Sequence, residues 1–103
     1  MSSPIFYLKL RNDIDAAIRD GTISSPITDA EAKELPYLQS VIKESLRIFP
    51  PAAGMTPRTV PPRGDTFNGV FIPEGTDVRH AAFSVHRLKS IYGEDAEVFR
   101  PER

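Results

Sequence analysis

Glu44 and Arg47 are the residues in this sequence whose types and spacing most directly invite a chemical reading. They sit in Lys43-Glu44-Ser45-Leu46-Arg47-Ile48-Phe49-Pro50-Pro51, which reads as the last turns of a helix stopped by two prolines. Residues three apart lie on nearly the same side of a helix, so a carboxylate and a guanidinium can meet there. An exposed pair of this kind is worth only about a few tenths of a kcal/mol, and such pairs are common on solvated faces. A half-buried pair needs further partners, because an uncompensated charge in that position costs roughly several kcal/mol. Other chemistry is sparse. His80 and His86 lie far from any further ligand cluster and do not make a metal site. Arg58 taken alone reads as a solvated strand-edge residue. There is no cysteine, which excludes disulfides, cysteine-ligated metal and a thiol nucleophile within this chain.

The elements that must position these groups are few, since 103 residues suffice for one small domain at most. Charged residues make up 26% and hydrophobic residues 40%, an ordinary globular balance. The net charge of −1 supplies no basic field for nucleic acid or anionic lipid. No apolar run approaches the roughly 18 residues that span a bilayer, and Met1-Ser2-Ser3-Pro4 shows no signal-peptide pattern. Six of the ten prolines fall between Pro50 and Pro73, where the chain changes character.

Ser3-Pro4 reads as a helix start, and Tyr7, Leu10, Ile14, Ala17 and Ile18 recur at helical spacing toward Gly21. Thr28-Asp29-Ala30-Glu31 is a capping box that opens a second, short helical stretch. Pro36 restarts the helix on a new axis. Leu38, Val41, Ile42, Ser45, Leu46 and Phe49 mark its expected buried side, with Glu44 and Arg47 at the border. Beyond Pro51 the pattern is extended. Thr56 to Val60 reads as a strand interrupted by Pro57, and Asn68-Gly69 between β-formers predicts a hairpin over Thr66 to Ile72. Thr76 to Phe83 reads as a strand with Val78 inward, and Ser84 to Tyr92 as a short helix closed by Gly93. The expected fold class is α+β. Residues 1–50 form a helical part, 51–83 a β part, and 84–103 a short helix with an irregular tail.

These pieces, in this order, resemble the cytochromes P450, the haem-thiolate monooxygenases. The resemblance rests on Leu35-Pro36-Tyr37-Leu38, Glu44-x-x-Arg47, Phe49-Pro50-Pro51, Gly69 through Thr76, Val85-His86-Arg87 and Phe99-Arg100-Pro101-Glu102-Arg103. It covers the whole chain, 1–103, as a partial domain of that mainly helical fold. Asp15-Ala16-Ala17-Ile18 followed by Thr28 to Ala32 looks most like the filamentous-fungal members.

The resemblance implies a buried structural triad of Glu44, Arg47 and Arg103, in which two guanidiniums surround one carboxylate with charge-assisted hydrogen bonds. It implies that Arg58 pairs with a haem propionate, and that Ala52, Ala53, Gly54 and Met55 belong to a substrate-contact segment. It gives His86 a structural position and no ligand role, and it implies no catalytic residue within these 103. Three departures stand out. Leu88 replaces the family's usual Asp, and Ala81-Ala82-Phe83 replaces its usual proline with an aromatic. The family's iron-ligating cysteine loop, which follows the P-E-R segment, has no counterpart here. In the family that thiolate pushes electron density onto iron and favours O–O cleavage.

For an intact parent, the resemblance implies haem, a small organic substrate, an electron-donating reductase, and an endoplasmic reticulum membrane anchored through a helix not seen in this sequence. For the isolated chain it implies no haem-thiolate centre and no monooxygenation. A non-catalytic truncated product and a small interaction module are the alternatives.

Overall fold

The computed structural model describes residues 4–52 and 57–103. Along them run the helices α1 (Pro4–Arg19), α2 (Asp29–Lys33) and α3 (Pro36–Ile48), then the strands β1 (Arg58–Thr59), β2 (Asp65–Phe67), β3 (Val70–Ile72) and β4 (Asp77–Val78), and finally α4 (Ala82–Val85) and α5 (Lys89–Tyr92). The α+β class expected from the sequence is the one observed. The chain forms two compact units, Met1–Arg47 with Val98–Arg103, and Ile48–Glu97.

In the first unit α1 ends where glycine permits it. Gly21 adopts φ +70, Thr22 N donates to Ala17 O at 3.0 Å, and Gly21 N donates to Ile18 O at 3.2 Å. These two bonds are the Schellman pattern, which satisfies carbonyls that a helix end otherwise leaves open. Ser3, the expected N-cap, lies outside the described residues. The capping box of α2 is complete. Thr28 Oγ1 accepts from Glu31 N at 3.4 Å, and Glu31 Oε2 accepts from Thr28 N at 2.8 Å. The same carboxylate also holds Ser24, accepting from its amide at 3.0 Å and from its hydroxyl at 2.7 Å. Glu31 is thereby held down to a pKa of about 2, first by the Thr28 amide and then by the Ser24 and Thr28 hydroxyls. Between α2 and α3 the chain breaks before Pro36, and Gln39 Nε2 reaches back to Ala32 O at 3.0 Å.

The C-terminal residues complete this unit. Phe99 meets Phe6 of α1 edge-on, with ring centroids 5.5 Å apart. Glu102 accepts from Lys9 Nζ at 3.2 Å and from Tyr37 Oη at 3.3 Å, and the same ammonium lies 4.1 Å from the Tyr37 ring centroid. Burial, the Glu102 charge and that hydrogen bond together push the Tyr37 phenol up.

The apolar stripes are only partly buried. Ala17 is buried and Leu10 and Ile14 are half-buried, while Tyr7 and Ile18 are exposed. The expected buried side of α3 is buried only in part, with Leu38 and Val41 half-buried. Ile42, Leu46 and Phe49 are exposed, whereas Glu44 and Arg47 retain 6% and 7% of their surface.

The second unit holds two small antiparallel pairs. β1 pairs with β4, Arg58 opposite Val78 and Thr59 opposite Asp77. Bonds from Val60 N to Thr76 O and from Gly75 N to Val60 O continue that ladder, and Val60 is buried. β2 and β3 form the predicted hairpin, with Phe67 opposite Val70. Asn68 and Gly69 both have positive φ, 49 and 79, as a type I′ turn requires. Gly64, at φ +75, lies under the Phe71 ring; a Cβ there would sit 2.5 Å from Phe71 Cζ.

Two sequence expectations change here. The strand expected over Thr76 to Phe83 is only Asp77–Val78, and Ala82 and Phe83 belong to α4. Val85 N and His86 N bond helically to Ala81 O and Ala82 O, each at 2.9 Å, and the small Ala82 side chain is buried. The single helix expected over Ser84 to Tyr92 is two, because Leu88 turns extended at ψ 117 and becomes the N-cap of α5. Gly93, at φ +87, closes α5.

Candidate functional site

The Glu44 carboxylate is buried and held from several sides. Arg47 approaches it as a planar fork, Nε to Oε2 at 2.8 Å and Nη2 to Oε1 at 2.7 Å. One helical turn brings the two side chains together, and the fork geometry of guanidinium supplies both bonds at once. Arg100 N donates to Glu44 Oε1 at 2.9 Å, and Arg103 Nε stands 3.6 Å from the same oxygen. The two arginines share a second acceptor, the Val98 carbonyl, at 3.1 Å from Arg47 Nη2 and 3.3 Å from Arg103 Nη2.

The structure thus brings together all three residues that the sequence suggested as a triad. It adds two backbone groups, Val98 O and Arg100 N, that no side-chain pattern marks. Burial opposes ionisation of Glu44 more than any single partner favours it. The Arg47 bonds, the Arg100 amide and the charges of Arg47 and Arg103 together prevail and hold the carboxyl below its ordinary value. Such a group is a fixed anion. It exchanges no proton near neutral pH and organises the α3 end of its unit around itself.

A second cluster centres on Arg87. Its Nη2 donates to Ile48 O, the last carbonyl of α3, at 2.6 Å. Its Nε donates to Glu97 Oε2 at 3.1 Å, its Nη1 to Phe83 O at 3.3 Å, and its guanidinium lies 4.6 Å from the Phe83 ring centroid. Sequence reasoning noted Arg87 only within a motif. Glu97 is the carboxylate that Arg87 meets.

Arg58 opens onto a cleft of about 570 Å³ in the second unit. Val60, Phe67, Ile72 and Val78 give it apolar walls, Arg79 and His80 share its lining with Arg58, and Asp65 is its one carboxylate. Val78 therefore faces this cleft and is 36% exposed, a partial counterpart of the inward position expected for it. Arg58 and Ala52 are exposed. Ala53, Gly54 and Met55 lie outside the described residues. His86 is half-buried, and no group of three or more potential metal ligands occurs among the described residues.

Comparison with known proteins places these features in context. The family model described as Cytochrome P450 matches residues 1–103. The chain is 47% identical over 103 residues to the cytochrome P450 monooxygenase aba1 of Botryotinia fuckeliana, a match covering all of this chain and 20% of that protein. It is 46% identical to the cytochrome P450 monooxygenase ABA1 of Pyricularia oryzae, across 99% of this chain and 20% of that protein. It is also 46% identical to the cytochrome P450 monooxygenase abl1 of Leptosphaeria maculans, across 100% and 18%. The chain spans about a fifth of the length of the curated relatives it matches.

Proposed function

The chain belongs to the cytochrome P450 family, and from that membership we propose that it is the part of a haem-dependent monooxygenase that fixes one charged core and offers one cationic cleft to the cofactor. The observation that carries this reading is the satisfied Glu44–Arg47–Arg103 cluster, formed by the residues at the family's motif positions.

Haem in the whole enzyme supplies reductive activation of dioxygen and insertion of one oxygen atom into an organic substrate, with electrons from a reductase. The donor set here fits one edge of that group. Arg58 is a cation beside apolar walls, as a propionate-bearing porphyrin edge requires. The chain contains no cysteine, so an iron-bound thiolate of the whole enzyme comes from outside these 103 residues. Ala52, with Ala53, Gly54 and Met55 after it, belongs in this reading to the substrate-contact segment. The exposed apolar side chains Ile42, Leu46 and Phe49 suit burial against the remainder of a longer polypeptide.

We infer an endoplasmic reticulum membrane location for the whole enzyme, which is what the family resemblance implies. No helix among the described residues is long and apolar enough to cross a membrane.

Expression of the polypeptide that contains these residues with its flanking sequence tests the reading. Stoichiometric haem in the purified protein, lost in the Arg47→Ala variant, supports it. A parent that folds and takes up no haem overturns it.

A further inference from the structure

His80 carries no role in any of the foregoing, yet it occupies a telling position. β1 and β4 pair with Arg58 opposite Val78, and directly opposed residues project from the same face of an antiparallel ladder. Residues two apart in extended chain share a face. Val60 thus joins Arg58, while His80 lies just beyond the end of β4 and comes to the same cleft from there. The cleft lining agrees, since all four border the same space of about 570 Å³. Its polar lining consists of Arg58, Arg79, His80 and Asp65.

We propose that His80 is a second anion-contacting residue of this cleft, acting with Arg58 on an apolar ligand that carries a carboxylate. Imidazole retains an N–H donor in both tautomers and in the charged form, so the contact does not depend on its protonation state. Arg58 gives the charge and one fork of donors. His80 gives a donor in the same lining, and the walls of Val60, Phe67 and Val78 take the apolar body. A porphyrin propionate and a free organic acid share this chemistry. The inference rests on the reading of Arg58 as a carboxylate partner and extends it to a residue outside the family motif.

The test uses the full 103-residue chain with 2-naphthoate as probe and its neutral counterpart 2-naphthalenemethanol as control, read by fluorescence titration. Hairpin proton shifts monitor the fold of each variant. The expected result is about tenfold tighter binding of the acid, the scale of a hydrogen bond to a charged group. Arg58→Gln and His80→Gln each reduce that preference, and the double variant abolishes it. If His80→Gln keeps the preference while Arg58→Gln loses it, the inference fails and the reading of Arg58 stands. If only His80→Gln loses it, the reading of Arg58 fails. If both keep it, or if neither probe binds, both fail. Competition by hemin but not by its dimethyl ester assigns the site to a porphyrin propionate. Failure of hemin to compete assigns it to a free acid.

Discussion

Arg47 meets the carboxylate of Glu44, one turn earlier on α3, through two bonds of 2.8 and 2.7 Å in a site where both side chains keep 6% of their surface. Burying such a pair is costly, and the cost is offset by further partners on the carboxylate. Arg100 N and Arg103 complete the set.

Truncation of one partner exposes that dependence. Arg47→Ala leaves Glu44 buried without its fork, and a loss of roughly 3–5 kcal/mol is expected from such broken pairs. Arg47→Lys keeps the charge and loses the bidentate geometry, so its cost is smaller. Urea unfolding followed by the aromatic signal of the first unit measures both. Equal stability of Arg47→Ala and the natural chain would contradict the arrangement.

Acid acts on the same unit through Glu31. Its folded pKa of about 2 lies below the unfolded glutamate value of about 4.3. A depressed carboxyl contributes stability above the unfolded value, and that contribution is lost as pH falls through the folded one. The capped segment from Ser24 to Lys33 is therefore expected to loosen between about pH 4.3 and pH 2. Carbon-detected titration of Glu31, with the Ser24 amide shift alongside, reports it. Glu31→Gln removes this pH dependence.

Tyr37 responds at the other end of the scale. Burial and the neighbouring Glu102 hold its proton on, so its folded pKa exceeds the unfolded one. The associated stability is present below the unfolded value and disappears as pH rises through the folded value. Ultraviolet titration is expected to show Tyr37 ionising above the ordinary tyrosine range, and Glu102→Gln to bring it down.

Gly64 tests the packing of the second unit. A methyl at this position meets the Phe71 ring at 2.5 Å and Ile72 O at 2.7 Å, at a φ of +75 that alanine avoids. Gly64→Ala is expected to cost roughly 1–3 kcal/mol. Adding Phe71→Ala removes the ring and leaves the carbonyl contact, so a double-mutant cycle should recover only part of the loss.

Arg87→Ala removes three donors from one residue, including the cap on Ile48 O. Hydrogen bonds involving a charged group are worth roughly 1.5–3 kcal/mol each, though not additively. Faster amide exchange around α4 is expected, with Arg87→Lys intermediate because an ammonium cannot span the same set.

What the sequence made legible was local. The capping box at Thr28, the glycine ends at Gly21 and Gly93 and the Asn68-Gly69 hairpin each follow from chemistry within a few residues. The depth at which Glu44 and Arg47 are buried was not legible in the apolar pattern of α3. The groups that reward burying Glu44 and Arg47 include Val98 O and Arg100 N, which are backbone atoms 51 and 56 positions away. A periodicity of apolar side chains contains nothing about them, so it assigns the buried face to Leu46 and Phe49. The change from strand to helix after Val78 escaped for a related reason. It depends on Ala82, which favours helix and buries a small side chain, in a stretch where Val78 and Phe83 suggested strand. The triad itself became visible through a family pattern, and Arg103 in particular has no intrinsic mark.

The first unit is assembled from the two ends of the sequence, so everything from Ile48 to Glu97 departs and returns between two residues that are bonded to each other, Arg47 and Val98 at 3.1 Å. The intervening stretch is a loop that this contact closes. Lengthening such a loop adds closure entropy only logarithmically, about 0.6 kcal/mol for each doubling. Residues inserted between Ile48 and Glu97 are therefore expected to add little to the closure cost of the Arg47–Val98 contact.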